Sequence, residues 1–300
     1  MAKIVCIDAG HGGTDGGADA NGYVEKTLAL KIARYMNEFL TADPNYTPKM
    51  TRSTDTYVSV NDRAAICNNA SADLFISIHF NAGGGTGFEV YPHVPKESYH
   101  SESHSFAEKV VSNMKDITTM RGLNGVRFAY LVNGVRSFAE ANDTNSKGYS
   151  TYYGVVRQAK CPAVLIETAF IDTAADIAKF STDAKLKIAA ARYYRAVCDY
   201  FGTTPIYDVS GNSISSSTTT TSTTTLYRVQ VGAFSSMANA EAFLTQVKAK
   251  GYTGSFLVSP TTDKLYRVQV GSFSVKSNAE NYMKEVQSKG LAAFIVTVAK

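Results

Sequence analysis

Three apolar runs along this chain end on a residue that can bind a metal or move a proton. KIVCIDAG leads to His11, DLFISI to His79 and PAVLI to Glu167. Short apolar runs without polar alternation read as strands buried on both faces, the usual state of parallel strands. Between them lie stretches with helical spacing. VEKTLALKIARYMNEFL repeats Val24, Leu28, Ile32, Met36 and Phe39 every three or four positions, which makes one apolar stripe. Similar patterns predict helices over 101–118 and 174–201, and strands are expected near 3–9, 73–80, 86–91 and 162–168. This alternation predicts an α/β fold, a mainly parallel sheet with helices on both faces. Side chains just past the carboxyl ends of parallel strands enter the crevice where such sheets do chemistry, so His11, His79 and Glu167 are expected to share one cleft.

The pattern changes near the carboxyl end. GNSISSSTTTTSTTT, residues 211–225, has no apolar periodicity and is expected to be a flexible tether. Beyond it the chain repeats itself: LYRVQVGAF at 226–234 returns as LYRVQVGSF at 265–273, an offset of 39. Each copy reads as strand, helix, strand, so the tail is predicted to be a small α+β domain, a split β-α-β sheet with two helices on one face. The expected domains are therefore 1–205, a linker over 206–225, and 226–300. In YRVQV the two-residue period sends Val229 and Val231 to the helices and Arg228 and Gln230 to the open face, where Arg267 and Gln269 repeat them.

Composition narrows the class. At 300 residues and 44% hydrophobic content the chain can build two cores. No run reaches the roughly 18 apolar residues of a membrane helix, so no membrane association is expected. With Met1 leading directly into the first strand, the reading is cytoplasmic synthesis without a signal peptide. Cys6, Cys67, Cys161 and Cys198 are scattered and read as reduced core residues. From residue 226 onward nine basic residues face four acidic ones, +5; the other 21 basic and 22 acidic residues give −1.

Two imidazoles beside a carboxylate suit zinc, which takes His nitrogen and Asp or Glu oxygen and leaves one position open in hydrolases. Glu25 is the third candidate, because the glycine-rich turn GHGGTDGGADANGY can fold back and bring the first helical turn against His11. A lone histidine after a strand is more often structural, and Glu25 could simply favour the helix dipole. The coincidence of four such residues in one cleft favours a metal site. His100 and His104, in HSESH, also share a helix face, but the glutamate position and polar surroundings point to a structural or solvated role.

These residues also carry a resemblance. Asp8-Ala9-Gly10-His11-Gly12-Gly13, Glu25-Lys26, Thr51-Arg52, Arg63, Ser77-Ile78-His79-Phe80-Asn81-Ala82 and Pro162 to Glu167 together resemble the zinc-dependent N-acetylmuramoyl-L-alanine amidases of the amidase-3 family, over about residues 3–201. The resemblance implies Zn2+ held by His11, Glu25 and His79, with Glu167 as catalytic acid-base. It also implies a substrate, the amide between N-acetylmuramic acid and L-alanine in peptidoglycan. Asp8 and Asn81 are expected to orient a ligand histidine or the substrate. The chain departs from the family at Ala169 and Asp172-Thr173, which implies an altered loop shape.

Residues 226–300 resemble the SPOR, or sporulation-related repeat, domain. That implies binding of peptidoglycan glycan strands through Arg228, Gln230, Arg267 and Gln269. RNA binding is the rival reading of this topology, but the strands lack the aromatic RNP signature, so no nucleic-acid partner is expected. A monomeric wall-lytic enzyme is expected, a phage endolysin or a mother-cell lysis enzyme, acting on the wall after release. The alternatives are a zinc carboxy- or endopeptidase acting on stem peptides, and a catalytically dead wall-binding protein.

Overall fold

The computed structural model describes residues 2–140, 149–214, 225–252, 255–258, 265–273 and 276–299. Contacts divide the chain into two units, Met1–Ser215 and Ser216–Lys300.

In the first unit the order is β1 Lys3–Ala9, β2 Asp19–Ala20, β3 Tyr23–Val24, α1 Glu25–Ala42, β4 Tyr46–Met50, α2 Val60–Asn69, β5 Leu74–Asn81, β6 Glu89–Pro92 and α3 His100–Met114. There follow β7 Arg127–Val132, β8 Val135–Glu140, α4 Gly154–Arg157, β9 Ala163–Phe170, α5 Ala174–Ile177 and α6 Asp183–Phe201. The main sheet runs β4-β1-β5-β9-β6. Its first four strands are parallel and β6 is an antiparallel edge.

The two-residue period sorts each central strand between two cores. Val5, Ile7, Ile76, Ile78, Val164 and Ile166 meet the stripe of α1 and the inner face of α6 in one core. Cys6, Phe75, Ala163 and Leu165 meet α4 and Cys67 of α2 in the other. His79 and Glu167 continue this second set, so they emerge on the α2 and α4 side of the sheet.

Several elements differ from the periodicity reading. The expected helix over 174–201 is broken: Thr182 caps a fresh start by accepting from the Lys185 amide, so α5 and a short 3-10 turn, Ala178–Phe180, precede α6. β4 was not legible because it contains Pro48, which an edge strand tolerates. The β7–β8 hairpin turns on Asn133 and Gly134, both at positive φ, the Asn-Gly signal of a type I′ turn. The expected linker start at 206 also moves. Ile206 donates its amide to the Tyr194 hydroxyl and the Tyr207 ring lies 4.7 Å from Phe39, so residues through 214 pack on the first unit. Residues 215–224 of the expected linker lie outside the described residues.

The cysteine reading is corrected in part. Cys6 of β1 and Cys67 of α2 form a disulfide with Cα atoms 5.7 Å apart, while Cys161 and Cys198 are free and buried. Both partners sit in the same core, opposite each other across the β1–α2 contact, which scattered positions in the sequence could not reveal.

The second unit contains β10 Thr225–Phe234, α7 Met237–Ala249, β11 Phe256–Val258, β12 Tyr266–Phe273, α8 Lys276–Ser288 and β13 Phe294–Ala299. Its antiparallel sheet runs β11-β12-β10-β13, with the repeated strands central. Val229, Val231, Val268 and Val270 form its core with Val247 and Val286 of the helices. Gln230 and Gln269 differ from the open-face expectation. They pair across β10 and β12 and are each only 2% exposed, because register shifts on both sides of Gln230 break the simple alternation. Among the described residues no helix is long and apolar enough to cross a membrane.

Candidate metal centre and catalytic cleft

The chain leaves β1 through Gly10 and turns sharply at His11, whose φ of 58° is rare for a residue with a side chain. That turn is anchored from beneath. Asp8, fully buried, accepts from Thr51 and Ser77 at 2.6 Å each and from Arg63 at 2.7 Å. Arg63 in turn donates to the carbonyls of Ala9 and His11, and Arg52 to those of Ala9 and Gly10. Asp8 therefore acts on His11 through a guanidinium and the backbone. It bonds no imidazole directly.

The β2–β3 hairpin carries the chain back so that Glu25 opens α1 facing His11. One carboxylate oxygen, Oε1, accepts from His11 Nε2 at 3.1 Å, His79 Nδ1 at 3.0 Å and the Phe80 amide at 3.0 Å. The other, Oε2, accepts from the Ala18 amide at 2.9 Å. Burial opposes ionisation of Glu25, but the bonds from both histidines outweigh it and hold the carboxyl well below its usual range. Asp15 accepts from His11 Nδ1 at 2.9 Å, which leaves Nε2 directed at the centre. Sequence reading missed Asp15, though its place four residues after His11 in the same glycine-rich turn was a usable signal.

These residues fit a metal. One donor atom each from His11, Glu25 and His79 lies within 4.8 Å of the others, the sole such cluster among the described residues. The donor set is the nitrogen and oxygen mixture that zinc takes. Two glycines make room for it. A Cβ on Gly10 would stand 2.4 Å from the His79 ring, and one on Gly17 would stand 2.5 Å from Glu25 Oε2. His100 and His104 form no such cluster; their rings lie 5.5 and 6.2 Å from that of Phe128.

Across the sheet, register sets His79, Glu167 and Glu89 side by side on β5, β9 and β6. Glu167 is 7% exposed, and its Oε2 has no hydrogen-bond partner. Burial raises its carboxyl well above the ordinary value, and the charges of Glu25 and Glu89 add to the effect. It is thus the carboxyl in this row with the greatest affinity for a proton. Glu89 is fully buried and ionically paired with Arg121 and Arg127 at 3.0 Å each. Asn81 donates to Glu89 at 2.5 Å, not to a ligand histidine, and it lines the cleft on the substrate side. Glu89 was not legible, since its placement depends on antiparallel pairing of an edge strand.

The cleft over these residues holds a cavity of about 660 Å3, lined by His11, Glu25, His79, Glu89 and Glu167 among others. Beside it a smaller hollow of about 160 Å3 reaches Tyr57, Val58 and Val60. The departure at Asp172-Thr173 shapes the rim. Asp172 accepts from the amides of Gly83 and Gly84, and Thr173 donates to the carbonyl of Gly85.

Comparison with known proteins divides the chain in the same way. The family model for N-acetylmuramoyl-L-alanine amidase matches residues 5–199, and that for the SPOR domain matches residues 223–297. The sporulation-specific N-acetylmuramoyl-L-alanine amidase of Bacillus subtilis (strain 168) is 34% identical over 264 residues, which cover 86% of this chain and 85% of that protein. The endolysin of Bacillus phage SPP1 is 33% identical over 200 residues, 66% of either chain. Among solved structures, an N-acetylmuramoyl-L-alanine amidase from Clostridium difficile 630 is 28% identical with a TM-score of 0.55, covering 67% of this chain and 97% of that one.

Proposed function

Since the chain belongs to the N-acetylmuramoyl-L-alanine amidase family and is a peptidoglycan amidase carrying a SPOR domain, we propose that it works with zinc held by His11, Glu25 and His79. The observation that carries this reading is the convergence of those three donors next to a buried, partnerless Glu167 oxygen. Zinc there would supply Lewis acidity, polarising the scissile carbonyl and bringing the pKa of water to about 7. Glu167 takes the proton of the attacking water on Oε2. As the new C–O bond forms and the C–N bond breaks, Glu167 passes that proton to the departing nitrogen, which would otherwise leave as a poor amide anion. The products are a carboxylic acid on the lactyl side and a free alanine amine. Asp15 keeps the His11 imidazole turned inward, and the Arg52 and Arg63 bonds hold its backbone.

For the second unit we propose glycan binding on the β10–β12 pair, through Arg228 and Arg267 of the repeated strands, which are half-buried and carry N–H donors for sugar oxygens. Gln230 and Gln269 are buried between these strands and meet no sugar directly. The Cys6–Cys67 disulfide suits work outside a reducing cytoplasm, in keeping with a lytic role at the wall.

Digestion of purified sacculi followed by mass spectrometry tests the reaction. Intact stem peptides with a new alanine amine are expected. The yield should vanish with a chelator and return with zinc. Fragments cut within the stem would instead make the protein a wall peptidase.

A further inference from the structure

The wall of the cleft formed by β6 and the β7–β8 hairpin carries more positive charge than its own acids neutralise. Arg121, Arg127 and Arg136 line the same cavity as Glu167. Glu89 pairs with the first two, and Glu140 gives Arg127 a further partner at 3.3 Å. Arg136 is different. Among the described residues it pairs with no carboxylate, and its guanidinium carbon lies 5.0 Å from the ring centres of both Phe138 and Tyr152. Two aromatic contacts fix the plane of a guanidinium while leaving its N–H edge free to donate. Phe138 itself is 42% exposed, an apolar ring left open to solvent where it lines the cleft.

Among the described residues the other side of the metal centre has no such group. The smaller hollow beside His11 and His79 is walled by Tyr57, Val58 and Val60, and its one arginine, Arg63, is committed to Asp8 and to backbone carbonyls. The two sides of the scissile bond therefore meet unlike surfaces. A chain bearing negative charge is favoured on the Arg136 side and an uncharged, bulkier group on the Tyr57 side.

We propose that Arg136 is a specificity residue that binds a carboxylate on the peptide portion of the substrate, close after the alanine, so that the enzyme distinguishes free from amidated stem peptides. This rests on the amidase reading of the site. The arrangement suits a bidentate bond, in which two parallel N–H groups meet two carboxylate oxygens, and a carboxamide offers only one acceptor in the same place. The peptide then runs toward the hairpin and the sugar toward Tyr57.

The test uses the full-length protein and two synthetic disaccharide peptides that differ only in whether the residue after alanine carries a free carboxylate or a carboxamide. Wild type is expected to favour the free carboxylate in kcat/KM by about tenfold or more, the scale of a hydrogen-bonded charge. Arg136→Met keeps a long apolar stem and is expected to lose that preference, chiefly through a rise in KM for the free-carboxylate substrate that is about tenfold larger than for the amidated one. Arg136→Lys should recover part of the preference. If wild type cleaves both substrates equally, or Arg136→Met slows both alike, the inference fails while the amidase reading stands. If wild type releases no alanine amine from either substrate, both fail.

Discussion

Glu167 differs from the other acids of the cleft in what surrounds it. Glu25 is held ionised by two imidazoles and Glu89 is paired with two guanidiniums, whereas Glu167 has an oxygen with no partner and a raised affinity for protons. Glu167→Gln is therefore expected to bind zinc with unchanged stoichiometry and to lose turnover by about 10²- to 10⁴-fold, the usual worth of a positioned acid-base. Metal analysis beside steady-state kinetics checks this, and near wild-type turnover would remove Glu167 from the role. His11, His79 and Glu167 were legible because each ends an apolar run, a pattern local to its own strand. How Asp8 acts was not legible, since it depends on which side of β1 it leaves and which neighbours, Thr51 and Ser77, stand there. Glu89 depends on the pairing of an edge strand, which no single segment encodes, whereas Asp15 stands in the same turn as His11 and was open to a local reading.

Among elements, β1 and α2 are joined by the Cys6–Cys67 bond as well as by packing. The bond closes a loop with a sequence separation of 61, and closing a loop of that size restrains the unfolded chain by about 4 kcal/mol in the entropy model. Cys67→Ala is expected to lower unfolding free energy by roughly that amount, about 2–4 kcal/mol once strain and residual structure are allowed for. Urea unfolding with the thiols of both proteins quantified would check it. An unchanged midpoint would mean the bond adds nothing. The long strands and α1 were readable from period alone. β4 was hidden by Pro48, and α6 was overextended because a run of helical spacing conceals the cap at Thr182. The Asn133-Gly134 turn was readable in principle and marks the hairpin that brings Arg136 to the cleft.

At the scale of the molecule, the 39-residue repeat made the second unit visible before any coordinates, while the burial of Gln230 and Gln269 was not, because a bulge shifts alternation after the pattern has been read. The first unit has its own cores. Removing residues 216–300 is therefore expected to leave kcat/KM on soluble muropeptides unchanged. Retention on sacculi should fall about 10²-fold or more, as a second attachment point is lost. Co-sedimentation beside a soluble assay separates the two effects, and equal retention would deny the tail its targeting role. β9, which brings Glu167, is inserted between β5 and β6, so the last of the four reactive side chains to be translated is also the one that closes the sheet. A ribosome-bound chain that has not yet released β9 lacks both its proton carrier and a finished scaffold, and a hazardous enzyme stays harmless until more than half of it has been made.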